Sequence, residues 1–383
     1  MSKTIQQLQS LGFHGSYRPE DITFLLKQNV IQPTDVTQKE RLIQSGEAHY
    51  SQMISVEKAP SATHLTHYDA AFRLGADRMA QEIQQLGNRL MLHFPQKPII
   101  LISLVRAGVP IGVLLKHHIQ QHQPCFHYGI SIIRDRGIDH AALNAIIQTH
   151  GAENIVFVDG WTGKGAIGQE LTHTLRDYPA LFDAGWSIPR LVTLADLAGC
   201  SWLSASTEDW LIPSGILGSV ISGLISRSIL FEPITEEYAK QNCFNVDAWH
   251  SCIFYDNLIA HDVSVDFIEK IRHKMQLNPT TLSAEWQQNH AEQQQIFCQN
   301  TIQHLCEKYN IQNINRIKPS IAEATRAVLR RVPDRILLRD DQDENVQLLC
   351  HFAKANQVPV EVLDTELGPY KAITLIKHVS GKQ

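Results

Sequence analysis

The chain has 383 residues, 43% hydrophobic and 19% charged, with a formal net charge of -5. That length suits two domains, the composition allows a sizeable core, and the mild acidity argues against a protein that coats nucleic acid along its whole length. The charge is uneven: residues 300–383 carry 12 Lys/Arg against 10 Asp/Glu, the rest 22 against 29. Seven cysteines, an odd number with no C-x-x-C pair, argue against a disulfide framework or a zinc ribbon and for reduced cytoplasmic thiols. The opening "MSKTIQQLQSLGFHG" lacks the apolar core of a signal peptide. The most apolar stretch, "LIPSGILGSVISGLISRSILF", is broken by serines, glycines and Arg227, so it reads as a buried or substrate-facing segment and no membrane partner is expected.

In chain order, residues 67–94 carry helical periodicity through Tyr68, Phe72, Leu74, Met79 and Ile83. "KPIILISLV" (97–105) predicts a buried strand, "RAG" a turn and "VPIGVLLKHHIQQH" a helix. "CFHYGISII" (125–133) is strand-like, "HAALNAIIQTH" helical, "NIVFV" a strand, "GAIGQELTHTLRDY" a helix and "PRLVTLADL" (189–197) a further strand. Strands alternating with helices imply an α/β fold with a parallel sheet covered on both faces. The glutamine-rich stretch 279–300 reads as a linker followed by a solvated helix. Beyond it, helices at 321–331 and 344–356 and strands at 335–339, 358–363 and 372–377 predict a smaller α/β unit. The division is therefore 1–278, a linker or helix at 279–300, and 301–383.

Three loops fall at expected strand tips, where open parallel sheets bind ligands. "DGWTGKGAI" (159–167) offers a carboxylate, Asp159, and a glycine-rich turn leading into a helix, which suits a phosphate next to sugar hydroxyls. It is not a Walker A loop, because Lys164 is followed by Gly165 rather than Ser or Thr, and no G-x-G-x-x-G is present. "SLVRAGVPIG" (103–112) places Arg106 beside Ala107 and Gly108, a pattern that suits a pyrophosphate. "IIRDRGID" (132–139) sets Arg134 and Arg136 on one side of an extended segment that could close over an anion. The plain alternatives are an ordinary strand-to-helix turn, an exposed turn arginine and a solvated, ion-paired connection.

Other features are less specific. His118 and His122 are four residues apart, but "HIQQH" lacks the glutamate of a zinc peptidase. A cysteine nucleophile needs a spatially adjacent histidine; Cys200 after a strand is the best-placed thiol, with His250 and Cys252 next. Residues 314–339 hold seven Lys/Arg against two acids, and Lys318, Arg326, Arg330 and Arg331 form a candidate basic face for folded RNA; a solvated basic face is the plain alternative.

The five stretches "GSYRPEDITFLLK", "LVRAGVPIGVLLK", "SIIRDRGID", "FVDGWTGKGAI" and "LIPSGILGSVISGLISR" together resemble type I phosphoribosyltransferases, and more closely a bacterial subfamily of tellurite-resistance and stress-response gene clusters that carries the label of a StiP-type cysteine protease. "IKPSIAEATRAVLRRVPDRILLRD" through "PYKAITLIK" resembles a Pelota-like RNA-binding domain. The resemblance implies a phosphoribosyltransferase-like domain with Mg²⁺-dependent chemistry on 5-phosphoribosyl-1-pyrophosphate (PRPP) or a related sugar phosphate and a nucleobase-like acceptor. Asp159 would meet the ribose hydroxyls and, indirectly, Mg²⁺. Gly160, Thr162, Gly163, Lys164, Gly165 and Ala166 would hold the 5-phosphate, Arg106, Ala107 and Gly108 the pyrophosphate, and Arg134 and Arg136 would close. Ser16, Tyr17, Trp161, Ser214, Ser219 and Arg227 would shape the acceptor pocket, with "HGSYRPED" as a hood. One departure stands out, since Gly160 occupies the place of the usual second acid. An RNA-binding protein with a degenerate sugar-phosphate site and a cysteine protease are the rival functions; relatives of the fold are commonly dimers.

Overall fold

The computed structural model describes residues 3–280 and 290–378. At its centre lies a seven-stranded sheet, every pairing parallel. The order across it is Thr23–Phe24, Cys125–Ile130, Ile99–Leu104, Ile155–Val158, Leu191–Asp196 and Leu203–Ser206, and Trp161–Thr162 also pairs with Leu191–Asp196. Its middle strands read IILISL, IVFV and LVTLAD and are buried throughout, as a sheet with both faces covered requires. Strand alternation divides them between two cores. Ile99, Leu101, Val156, Val158, Val192 and Leu194 face a cluster with Met79, Ile83, Leu114 and Phe267. Ile100, Ile102, Leu104, Ile155, Phe157 and Leu191 face the other, with Leu8, Leu143, Ile146 and Leu171. The helices Ala62–His93, Val109–Ile119 and Ser264–Leu277 thus cover one face, and Lys3–Leu11, His140–His150 and Ala166–Thr174 the other.

The second unit has a four-stranded sheet in the order Ile317–Pro319, Ala372–Ile376, Pro333–Leu338 and Val360–Val362, of which only the last pair is parallel. The strand Ile317–Pro319 is absent from the sequence-based expectation. It has three residues, too few to show alternation, and its proline fits only because this is an edge strand. The helix expected to be solvated begins at His290 and runs to Lys308; it buries Cys298, Ile302 and Leu305 beside Tyr370. Most of the linker expected before it, residues 281–289, lies outside the described residues.

The two units share their cores. Leu197, Ala198 and Cys200 of the first pack with Ile302, Ile317 and Tyr370 of the second, and Ala71, Leu211 and Ile216 pack with Ile321, Val328 and Phe352. Asp209 ties the seam, accepting the backbone N–H groups of Ile321 (3.0 Å) and Lys371 (2.9 Å). Among the described residues no helix is long and apolar enough to cross a membrane.

Candidate functional site

The carboxyl ends of the central strands open into a cavity of about 850 Å³ that is walled on its far side by the second unit. Three loops meet there. The strand Ile99–Leu104 delivers Arg106 and Ala107, Cys125–Ile130 and the short hairpin after it deliver Arg134 and Arg136, and Ile155–Val158 delivers Asp159 and Trp161 through Ala166. Gly165 has φ of +81° and is the N-cap of the helix Ala166–Thr174, a left-handed position that suits glycine and aims the first helical amides at the cavity.

Electrostatics define the site. Eleven Lys and Arg side chains line it against five Asp and Glu. Glu57 is the hub of its inner wall: one oxygen accepts from Arg106 (3.0 Å), Arg330 (2.7 Å) and the Ser219 backbone (3.0 Å). Burial alone would raise its pKa, but the two guanidiniums hold it down at about 2. Among the described residues Asp159 has no cationic partner in contact and its carboxylate accepts only the Gly160 N–H, at 2.7 Å; burial pushes it up to about 7. Glu323 turns a buried oxygen without a hydrogen-bond partner toward Gly163. Lys164 donates to the carbonyls of Ile314 (2.5 Å) and Ile317 (3.1 Å) and, among the described residues, has no carboxylate within ion-pair distance; burial lowers it to about 8. Tyr50 lies between the guanidiniums of Arg134 and Arg227, 5.1 and 5.2 Å from its ring. Arg134 also reaches Asn315 of the second unit at 2.9 Å.

Not every expected residue meets the cavity. Gly108 packs against strand backbone, where a Cβ would stand 2.0 Å from the Val158 carbonyl; it and Gly160 lie outside the lining. The Thr162 hydroxyl is committed to Asp196 at 2.7 Å and to the Ala198 N–H at 2.9 Å, so that side chain braces the loop from behind. Of the expected acceptor residues, Trp161 and Arg227 line the cavity, whereas Ser16, Tyr17, Ser214 and Ser219 do not. Tyr17 is buried and donates to the Ile221 carbonyl at 3.0 Å. "HGSYRPED" is no hood, since it runs toward the sheet edge at Thr23–Phe24; residues 43–57 form that wall instead. Lys318, Arg326, Arg330 and Arg331 all face the cavity, with Arg331 paired to Glu40. Glu57, Tyr50 and Glu323 were missed, because nothing in their local sequence marks them.

The thiols are poor nucleophiles in this geometry. Cys200 is buried under the glycine-rich loop, and burial followed by the nearby Asp196 raises its pKa well above the ordinary value. Burial raises Cys252 to about 12. His250, expected near Cys252, instead shares a 2.7 Å hydrogen bond with the Ser131 hydroxyl. Among the described residues no cysteine has a histidine hydrogen-bond partner.

Residues 15–272 match the family described as "Tellurite-like stress resistance cysteine protease StiP", and residues 297–378 match the "PELOTA RNA binding domain". The "Cysteine protease StiP" of Acinetobacter baylyi is 54% identical over 379 residues, 98% of this chain and 97% of that protein. These findings correct the expected activity: family and relative are both named for a cysteine protease and neither for phosphoribosyl transfer, so the transferase assignment and its PRPP chemistry are withdrawn. With two thirds of its length matched by that family and a relative of 54% identity along nearly all of it, the chain belongs to the StiP family and carries a Pelota-like domain at its C-terminal end.

Proposed function

We propose that this chain binds a phosphate-bearing small molecule in the cavity between its two units, with the glycine-rich loop 163–166 and Lys164 as the phosphate cradle. The observation that carries this reading is the excess of cationic side chains over carboxylates in a cavity of ligand size. Unpaired buried cations are costly, and an anionic ligand removes that cost. Among the described residues Asp159 and Glu323 lack cationic partners in contact, and they flank the same loop. No group of three or more potential ligands placed to hold a metal ion is present among the described residues, so Asp159 and Glu323 would be the carboxylates for a Mg²⁺ ion arriving with the phosphate, which would supply charge neutralisation. The phosphoribosyltransferase-like arrangement of sheet and loops belongs to this reading only as a frame.

Calorimetric titration of inorganic tripolyphosphate, with and without Mg²⁺, tests it. Wild type should bind, and Lys164→Ala should bind about tenfold or more weakly, as loss of a charge-assisted contact implies. A folded wild type that takes up no heat with tripolyphosphate or orthophosphate sinks the reading.

The relative's name brings a second reading, peptide cleavage by a cysteine. What favours it is the position of Cys200, whose sulfur lies 3.5 Å from where a Gly165 Cβ would be, directly beneath the cradle. A protonated, buried thiol reacts slowly. Native Cys200 should therefore be alkylated by iodoacetamide at pH 7.5 at least about tenfold more slowly than in the unfolded chain, as read by peptide mapping. A casein-cleaving activity that disappears in Cys200→Ala would establish the peptidase reading.

A further inference from the structure

Beside the short hairpin formed by Ile132–Ile133 and Gly137–Ile138 lies a second cavity, of about 310 Å³. The two cavities share a partition, since His49, Asp135 and Arg136 line both. Beyond the partition the chemistry changes. The small cavity has an apolar floor of Ile138, Leu230, Ile234, Ala239 and Ala248, together with His140 and His250. Two buried donors on the partition lack an acceptor. One is Arg136 Nη1, and among the described residues the Arg136 side chain has no hydrogen bond and no ion pair. The other is His49 Nε2. The Nδ1 of that ring accepts the Ser51 N–H at 3.3 Å and lies 2.8 Å from the Ser51 hydroxyl. Burial, and then the nearby Arg136 charge, lower the His49 pKa. At neutral pH its single ring proton therefore sits on Nε2, which is buried with no hydrogen-bond partner.

The carboxylates of the small cavity are already used. Asp139 accepts the backbone N–H groups of Ala142 (3.0 Å) and His250 (2.6 Å). Asp135 pairs with Arg134 at 3.0 Å and stands 3.9 Å from His49 Nε2, beyond hydrogen-bond reach. An unmet buried donor is costly, and two on one partition call for an acceptor from outside the chain. We propose that the small cavity binds a monocarboxylate with a compact apolar body. The carboxylate takes the N–H groups of Arg136 Nη1 and His49 Nε2, and the body lies on the apolar floor. A guanidinium with a second N–H matches the two oxygens of a carboxylate. One unpaired cation beside two acids suits a single negative charge and disfavours a phosphate dianion. The volume is at the lower end for ligand cavities, which suits a one-ring acid. The site is independent of the phosphate reading, which concerns the other cavity.

Calorimetric titration of the full chain with benzoate, acetate and benzamide tests it. Wild type should bind benzoate about tenfold or more tightly than acetate, which lacks the body, and than benzamide, which lacks the charge. Arg136→Met, at a half-buried position, should weaken benzoate about tenfold or more. Ala239→Leu, which fills the floor, should weaken benzoate by as much and leave tripolyphosphate binding as it is. A melting temperature equal to wild type shows that its fold is intact; where it falls, Ile234→Trp, at a half-buried position, fills the cavity instead. No binding at about 10 mM benzoate overturns the proposal, and so does benzoate binding that survives Arg136→Met. If Arg136→Met weakens benzoate while neither filling variant does, the anion sits in the large cavity and the small one is not the site.

Discussion

Glu57→Ala is expected to cost about 3–5 kcal/mol of stability, the usual result of stripping one partner from a buried charge cluster. The substitution leaves Arg106 and Arg330 facing each other with no carboxylate between them and removes the acceptor of the Ser219 N–H. Chemical denaturation of the full chain measures it, and Glu57→Ala/Arg330→Met should recover part of the loss, because one of the two stranded cations is gone. A single substitution that stays within about 1 kcal/mol of wild type would show that solvent, not Glu57, balances the arginines. The same group sets an acid limit. Its folded pKa lies below the ordinary carboxylate value, so its contribution is complete above the unfolded pKa and is lost as the pH falls toward about 2.

Asp159→Asn is expected to act in the opposite direction. Burial raises this carboxyl to about 7, so the folded ligand-free protein holds a proton that the unfolded chain has already released. The penalty is absent below the unfolded pKa, grows as the pH rises and is complete above the folded pKa. An asparagine keeps the acceptor for the Gly160 N–H and does not titrate. The variant should therefore match wild type near pH 4 and exceed it by on the order of 3 kcal/mol at pH 8. Thermal melts at the two pH values decide it; an equal difference at both would mean that folding does not shift this carboxyl and that the substitution acts through contacts that do not titrate. If Asp159 serves Mg²⁺ as proposed, the stabilised variant should also lose the Mg²⁺-dependent part of tripolyphosphate binding.

Much of the first unit was legible because buried strands such as Ile99–Leu104 and Ile155–Val158 are unbroken apolar runs, and the glycines and charges that follow them fall at strand tips by geometry alone. What could not be read were contacts between segments far apart in sequence. Glu57 lies in "SQMISVEKAP", which has no periodicity, and finds Arg106 and Arg330 only after folding. Thr162 sits in the loop expected to hold a phosphate, yet Asp196, on the neighbouring strand, claims its hydroxyl. The sequence groups Lys318, Arg326, Arg330 and Arg331 as one basic face, but a helix pattern states which residues share a side and not which side meets a neighbour, and these four line the cavity. Activity was the least legible of all, since a fold and its loops describe a frame and the family's name points to different chemistry on it.

The shared cores of the two units have a consequence for how the protein comes into being on the ribosome. When the first 280 residues have emerged, the parallel sheet has nearly everything it needs, but Leu211, Ile216 and the apolar ground around Cys200 still lack the partners that cover them. Those partners arrive last. The far wall of the cavity and the cover over that apolar ground therefore come from the same C-terminal segment, and a nascent chain stalled before it would leave that ground exposed together with an unwalled cavity.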